Sequence, residues 1–231
     1  MDNTSTMNEQ AIINEYLAFL DQRGFPCIAA RAALKHDHIH CLVTGHMACP
    51  NDDHRILQFI YQFVDAYRKA KTPYHSAAII FEKPAIENEL LFDRLLWQRL
   101  TALRKMDDQN FKYDSRVEAD PKSKKFSFSL KEEAFFVIGL HPASPRHSRH
   151  FRYPTLVFNP HAEFEKLRAA NRYESLKRAV RKRDVAFSGS INPLLRDFGE
   201  SSEIFQYSGI HHDTTWKCPL NTDDDKNEYH P

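Results

Sequence analysis

The run Ala134–Leu140, AFFVIGL, constrains the fold more than any other stretch of the chain. Its alternate residues are apolar on both sides, so it reads as a central, buried strand rather than one with a wet face. Just before it, FSFSL alternates apolar and small polar residues and should bury one face only, and the intervening KEE predicts a hairpin. HIHCLVTG, SAAIIFE and TLVF are rich in β-branched and aromatic residues and read as further strands.

Helices separate these strands. Ile12, Ile13, Tyr16, Leu17 and Leu20 recur on one helical face until Gly24, Phe25 and Pro26 stop the pattern. A second helix spans Asn51 to Lys71, where Asn51 or Asp52 can cap the start, and a third spans Ile86 to Met106 with a broad Leu and Trp stripe. Helical periodicity resumes from His161 through Phe187, interleaved with Arg and Lys that form a solvated face. Strands and helices mix without a regular βαβ alternation, which predicts an α+β single domain with a mixed or antiparallel central sheet flanked by amphipathic helices. Domain 11–220 carries the core, while the polar first ten residues and the acidic tail 221–231 are expected to be disordered.

A formal charge of +1 gives no electrostatic argument for nucleic acid, and no apolar run is long enough to span a bilayer. The opening MDNTSTMNEQ lacks the apolar core of a signal peptide, so a cytoplasmic address is expected. Cys27, Cys41, Cys49 and Cys218 form no CxxC pair and are expected as free thiols. The chain has six glycines and no G-x-G-x-x-G, P-loop, H-E-x-x-H or G-x-S-x-G, which argues against dinucleotide and nucleoside triphosphate folds.

Several residues are able to carry chemistry. His141 follows the buried strand at a junction with a loop, where a rigid element can aim an imidazole into a cleft or simply hydrogen-bond it to a carbonyl. Arg146, Arg149 and Arg152 recur every third residue beyond it, a pattern that suits an acidic ligand or a basic surface. His161 opens the next helix, with Asn159 as a possible cap. Cys27 in FPC and Cys218 in WKCP are either inert buried thiols or, as thiolates, iron ligands. His36, His38 and His40 alternate and share one strand face, which makes a non-haem metal site or a solvated edge.

FPCIAARAAL, ENELLFDRLLWQRLTAL, FSFSL, the block Gly139 to Arg168, SGSINPLLRDFGESSEIFQYSG and WKCPL together resemble the YqcI/YcgG family, from about Phe25 to Leu220. The resemblance implies haem b and N-hydroxylation of a guanidino group on arginine or an arginine-derived small molecule, using either oxygen with two electrons from an external donor or peroxide. It makes His141 the first candidate for the axial ligand, with His161 and Cys27 as alternatives, and gives Arg146, Arg149 and Arg152 the haem propionates. A cationic substrate needs a carboxylate, for which Glu89, Asp197 and Glu200 stand in matching segments. The alternatives are a haem-binding sensor or carrier and a non-haem metal protein built on His36, His38 and His40.

Overall fold

A computed structural model of the protein describes residues 3–194, 197–213 and 215–220. The expected α+β domain is present: a five-stranded mixed sheet with helices on both faces. Strands β1 (Ile39–His46) and β2 (Ser76–Lys83) run parallel, joined by helix α3 (Asp53–Lys69) in one βαβ unit. The sheet continues through antiparallel neighbours in the order β1-β2-β5-β4-β3, with β3 at Phe128–Leu130, β4 at Glu133–Leu140 and β5 at Thr155–Pro160.

The KEE hairpin forms, and its two-residue turn places Lys131 and Glu132 at φ 52° and 55°. That is the type I′ geometry which matches strand twist, here without the usual Asn or Gly. The central position belongs to β5, not to AFFVIGL. β4 lies beside the short edge strand β3, which pairs only with Glu133 to Phe135. Its apolar character comes from helices on both faces, which bury a strand wherever it sits in the order.

Alternation divides the side chains between two cores. Ile79, Phe81, Phe135, Val137, Leu156 and Phe158 face α3, α4 (Glu89–Asp107) and the single turn α7 (Ile204–Tyr207). Val43, Ala78, Ile80, Leu140 and Val157 face α1 (Asn3–Asp21) and α2 (Ile28–Lys35), where Phe187 of α6 (Tyr173–Ser188) also packs. A Cβ on Gly139 would lie 2.5 Å from Phe92 Cε1, so glycine is what lets β4 and α4 approach.

Three boundaries differ from expectation. Helix α1 begins at Asn3, so the polar N-terminal residues expected to lack structure continue an amphipathic helix from there. The helix expected from His161 through Phe187 is two helices, α5 (His161–Ala169) and α6, separated where Asn171 adopts φ 54°. Asn159 does not cap α5; its amide Nδ2 donates to Phe136 O at 3.2 Å across the sheet. The expected tail 221–231 lies outside the described residues.

Candidate functional site

The α1/α2/α6 side of the sheet encloses a cavity of about 230 Å³. Its walls are mostly apolar, with Leu20, Ile138, Leu140, Val157, Leu176 and Val180 among them. This is just below the ~300–1,000 Å³ of small-molecule sites. A second lobe of about 60 Å³ shares Phe136, Phe164 and Tyr173 with it and continues to His161, Phe198 and Glu203.

Cys27 lines the larger cavity. It is the N-cap of α2, a helix too short and Ala-rich to leave a clear stripe in the sequence, and its Sγ accepts the Ala30 amide at 3.4 Å. Burial pushes the thiol pKa up, and the Ala30 and Ala29 amides pull it back by favouring the thiolate. Tyr16 stands in the same wall, and burial holds its hydroxyl protonated. Cys218 packs against the opposite core, on the α4 side of the sheet, so the FPC and WKCP cysteines do not meet.

His141 faces away from this cavity. The period-two alternation that turns Phe136, Ile138 and Leu140 toward the cavity turns Gly139 and His141 toward α4. There the His141 ring stacks on Phe92 with centroids 4.2 Å apart. Burial lowers its pKa to about 4, with the Arg149 cation as the next cause, and among the described residues its Nδ1 has no hydrogen-bond partner.

The three arginines separate. Arg146 Nη2 donates to Asp184 Oδ2 at 2.6 Å and to Ser190 O at 2.9 Å. Arg149 is buried at the cavity wall and donates to Gln206 O at 2.7 Å and Tyr207 O at 3.0 Å, closing the end of α7. Burial lowers its pKa to about 10. Arg152 is exposed, 3.5 Å from Glu15 and over the Tyr153 ring.

Of the carboxylates named from sequence, none lines the cavity. Glu89 opens α4 on the other face, where burial raises its pKa. Asp197 accepts from Tyr173 Oη at 2.9 Å and Lys177 Nζ at 2.6 Å, two side chains that do line it. Glu200 accepts the Asp197 amide at 3.1 Å. His38 stacks between His75 and His36, with centroids 4.2 and 5.7 Å away, whereas His40 meets the edge of Phe63. Among the described residues no three His, Cys, Asp or Glu side chains gather to hold a metal ion.

Two carboxylates that the sequence did not single out belong to the cavity walls. Asp184 lines the larger lobe, paired with Arg146, while among the described residues its Oδ1 has no hydrogen-bond partner. Glu203 lines the smaller lobe, 3.8 Å from His161 Nε2, and burial raises its pKa to about 8. Burial lowers His161 to about 4, so both groups are neutral near pH 7, and among the described residues His161 Nε2 has no hydrogen-bond partner. The one sequence signal for Glu203 is its spacing of four from Tyr207, whose hydroxyl donates to Glu203 Oε2 at 3.3 Å.

The sequence profile of the YqcI/YcgG family matches residues 16–221. The chain belongs to the YqcI/YcgG family. Among family relatives, it is similar to the uncharacterized protein YqcI of Bacillus subtilis (strain 168), at 27% identity over 193 residues, covering 79% of this chain and 74% of that one. No solved structure matches. Among the described residues no helix is long and apolar enough to cross a membrane.

Proposed function

We propose that this YqcI/YcgG protein is a haem-dependent oxygenase that N-hydroxylates a guanidino group of arginine or an arginine-derived small molecule, with Cys27 as the residue that would hold the iron. The observation that carries the reading is the Cys27 sulfur at the wall of an apolar cavity, on the N-terminus of α2. A single sulfur donor at an apolar wall supports a haem. A thiol that already accepts a helix amide is prepared to bind iron as thiolate, because the amide stabilises the sulfur charge that burial disfavours. Haem brings its own equatorial nitrogens, so one protein sulfur suffices where no cluster of ligands forms.

When bound, the haem would supply the oxidising chemistry, drawing on oxygen with two electrons from an external donor, or on peroxide. The chain's residues do the rest. Leu140, Val157, Leu176 and Val180 exclude water from the cavity, which strengthens every electrostatic contact inside it. Arg149 is the member of the arginine series that lines this wall, and its guanidinium, which donates to the Gln206 and Tyr207 carbonyls, would share its remaining donors with a carboxylate of the cofactor. Arg146 acts through Asp184, whose position on α6 it fixes. Tyr16 keeps its proton and offers a donor beside the sulfur.

The test is the absorption spectrum of the haem-loaded protein and its single variants. Cys27→Ser should lose haem or shift the Soret band, whereas His141→Ala should keep the parent spectrum because its ring lies on the far side of the sheet. A chain that stays colourless under haem-loading conditions would sink the proposal. A bleached His141→Ala beside an unchanged Cys27→Ser would move the iron to the α4 face.

A further inference from the structure

The proposed haem reading leaves the smaller lobe unused, yet that lobe gathers unusual groups. Glu203 is 4% exposed and His161 is 5% exposed, and the two lie 3.8 Å apart with no Lys or Arg ion pair to Glu203 among the described residues. Aromatic rings complete the walls: Phe198 stands edge-on to His161 with centroids 4.3 Å apart, and Phe136 and Phe164 meet edge-to-face at 6.0 Å. We propose that this lobe is a recognition pocket for a planar nitrogen cation, a guanidinium or amidinium headgroup, seated among Phe136, Phe164 and Phe198 with Glu203 as its carboxylate.

Size, charge and hydrogen bonding each favour that ligand. A lobe of about 60 Å³ holds roughly four waters at ~10–15 Å³ each. Guanidinium has four heavy atoms. Ring faces attract cations, and a carboxylate takes a guanidinium through two parallel hydrogen bonds. The unpartnered His161 Nε2 is a further acceptor when the neutral ring leaves it unprotonated. In the empty lobe Glu203 avoids an unpaired buried charge by keeping its proton. An arriving cation lets that proton leave to solvent, so the bound state is carboxylate and cation with one proton released.

The neighbouring charges are already engaged. Arg168 reaches the wall, but its guanidinium pairs with Glu165 and lies 4.2 Å over the Tyr173 ring. Asp184, the other buried carboxylate, is paired with Arg146 at 2.6 Å. Among the described residues Glu203, which accepts from the Tyr207 hydroxyl rather than from a cation, is therefore the carboxyl left for one. The inference rests on the proposed oxygenase reading, since it names the group that would hold that enzyme's substrate.

Methylguanidine and methylurea have the same shape and differ in charge, so they form the test pair. Binding to the whole chain as isolated, followed by saturation-transfer NMR, should favour methylguanidine by about tenfold or more, the worth of a charge-assisted hydrogen bond. Glu203→Gln should bring the two to parity. Should that variant not fold, Phe198→Leu reads the same pocket and should weaken methylguanidine several-fold. Parity in the parent protein, a preference surviving in Glu203→Gln, or unchanged affinity in Phe198→Leu would each overturn the inference. Haem loading is read separately: a Soret band without the cation preference leaves the oxygenase reading and removes this one, and the preference without haem does the reverse.

Discussion

Glu203 should set the alkaline limb of the protein's stability. Its pKa in the fold is raised from an ordinary value near 4.5 to about 8, chiefly by burial. Between those values the folded state holds a proton that the unfolded chain has lost. Stability contributed by this group is therefore fully present below 4.5 and is lost as pH rises through 8. His141 and His161 act in the opposite sense. Burial lowers both from 6.5 to about 4, so their contribution is present above 6.5 and is lost as pH falls through 4. With two imidazoles against one carboxyl, stability climbs to about pH 6.5 and then falls. One pH unit corresponds to ~1.4 kcal/mol, so the fall from pH 6.5 to 8 is about 2 kcal/mol. Urea unfolding of the haem-free chain at fixed pH steps measures it. Glu203→Gln should flatten the profile between pH 6.5 and 8, since the amide carries no proton to lose. A variant that keeps the parent's fall, or a parent whose stability rises across that window, would refute the reasoning.

Arg149→Met leaves the Gln206 and Tyr207 carbonyls without their donor. At ~1–3 kcal/mol for each buried unsatisfied group it should destabilise the haem-free chain by roughly 2–6 kcal/mol, read as a lower urea midpoint. Gly139→Ala drives a methyl to within 2.5 Å of Phe92 and should cost about 1–3 kcal/mol by the same assay. Asp53→Ala strips Arg99 of its buried partner, at a cost of ~3–5 kcal/mol, whereas Arg152→Ala at the exposed Glu15 pair should stay within about 1 kcal/mol of the parent.

Much of the fold was legible because period-two and period-3.6 patterns report which face of an element is buried. The strands around Val43, Ile79, Phe136 and Val157 and the helices through Phe63 and Leu100 are found on that basis. Neighbour relations were not legible. The apolar run of β4 records two covered faces, and a second strand beside it leaves no separate mark, so β5 takes the centre unannounced. Helix α2 escaped because IAARAALK is eight residues with small side chains, and its cap is a cysteine rather than Ser, Thr, Asp or Asn. The break at Asn171 depends on a positive φ that Asn tolerates without advertising.

The candidate site divides along the same line. Alternation along β4 already implied that His141 shares a face with Gly139, Val137 and Phe135, opposite Phe136, Ile138 and Leu140. Which of those faces borders a cavity depends on how far the helices stand off, and that is a property of packing across 100 residues or more of chain. Cys27 and Phe136 are such a pair, brought to one cavity by α2 and β4. The Arg series shows the same limit from the side of charge. Three-residue spacing in the loop after β4 sends Arg146 to α6, Arg149 to the end of α7 and Arg152 to solvent near α1. A shared sequence pattern in a loop therefore carries no shared function. The geometry on which the proposals rest, a thiol on a helix N-terminus and a buried carboxyl beside aromatic rings, is assembled from segments whose local sequences look ordinary.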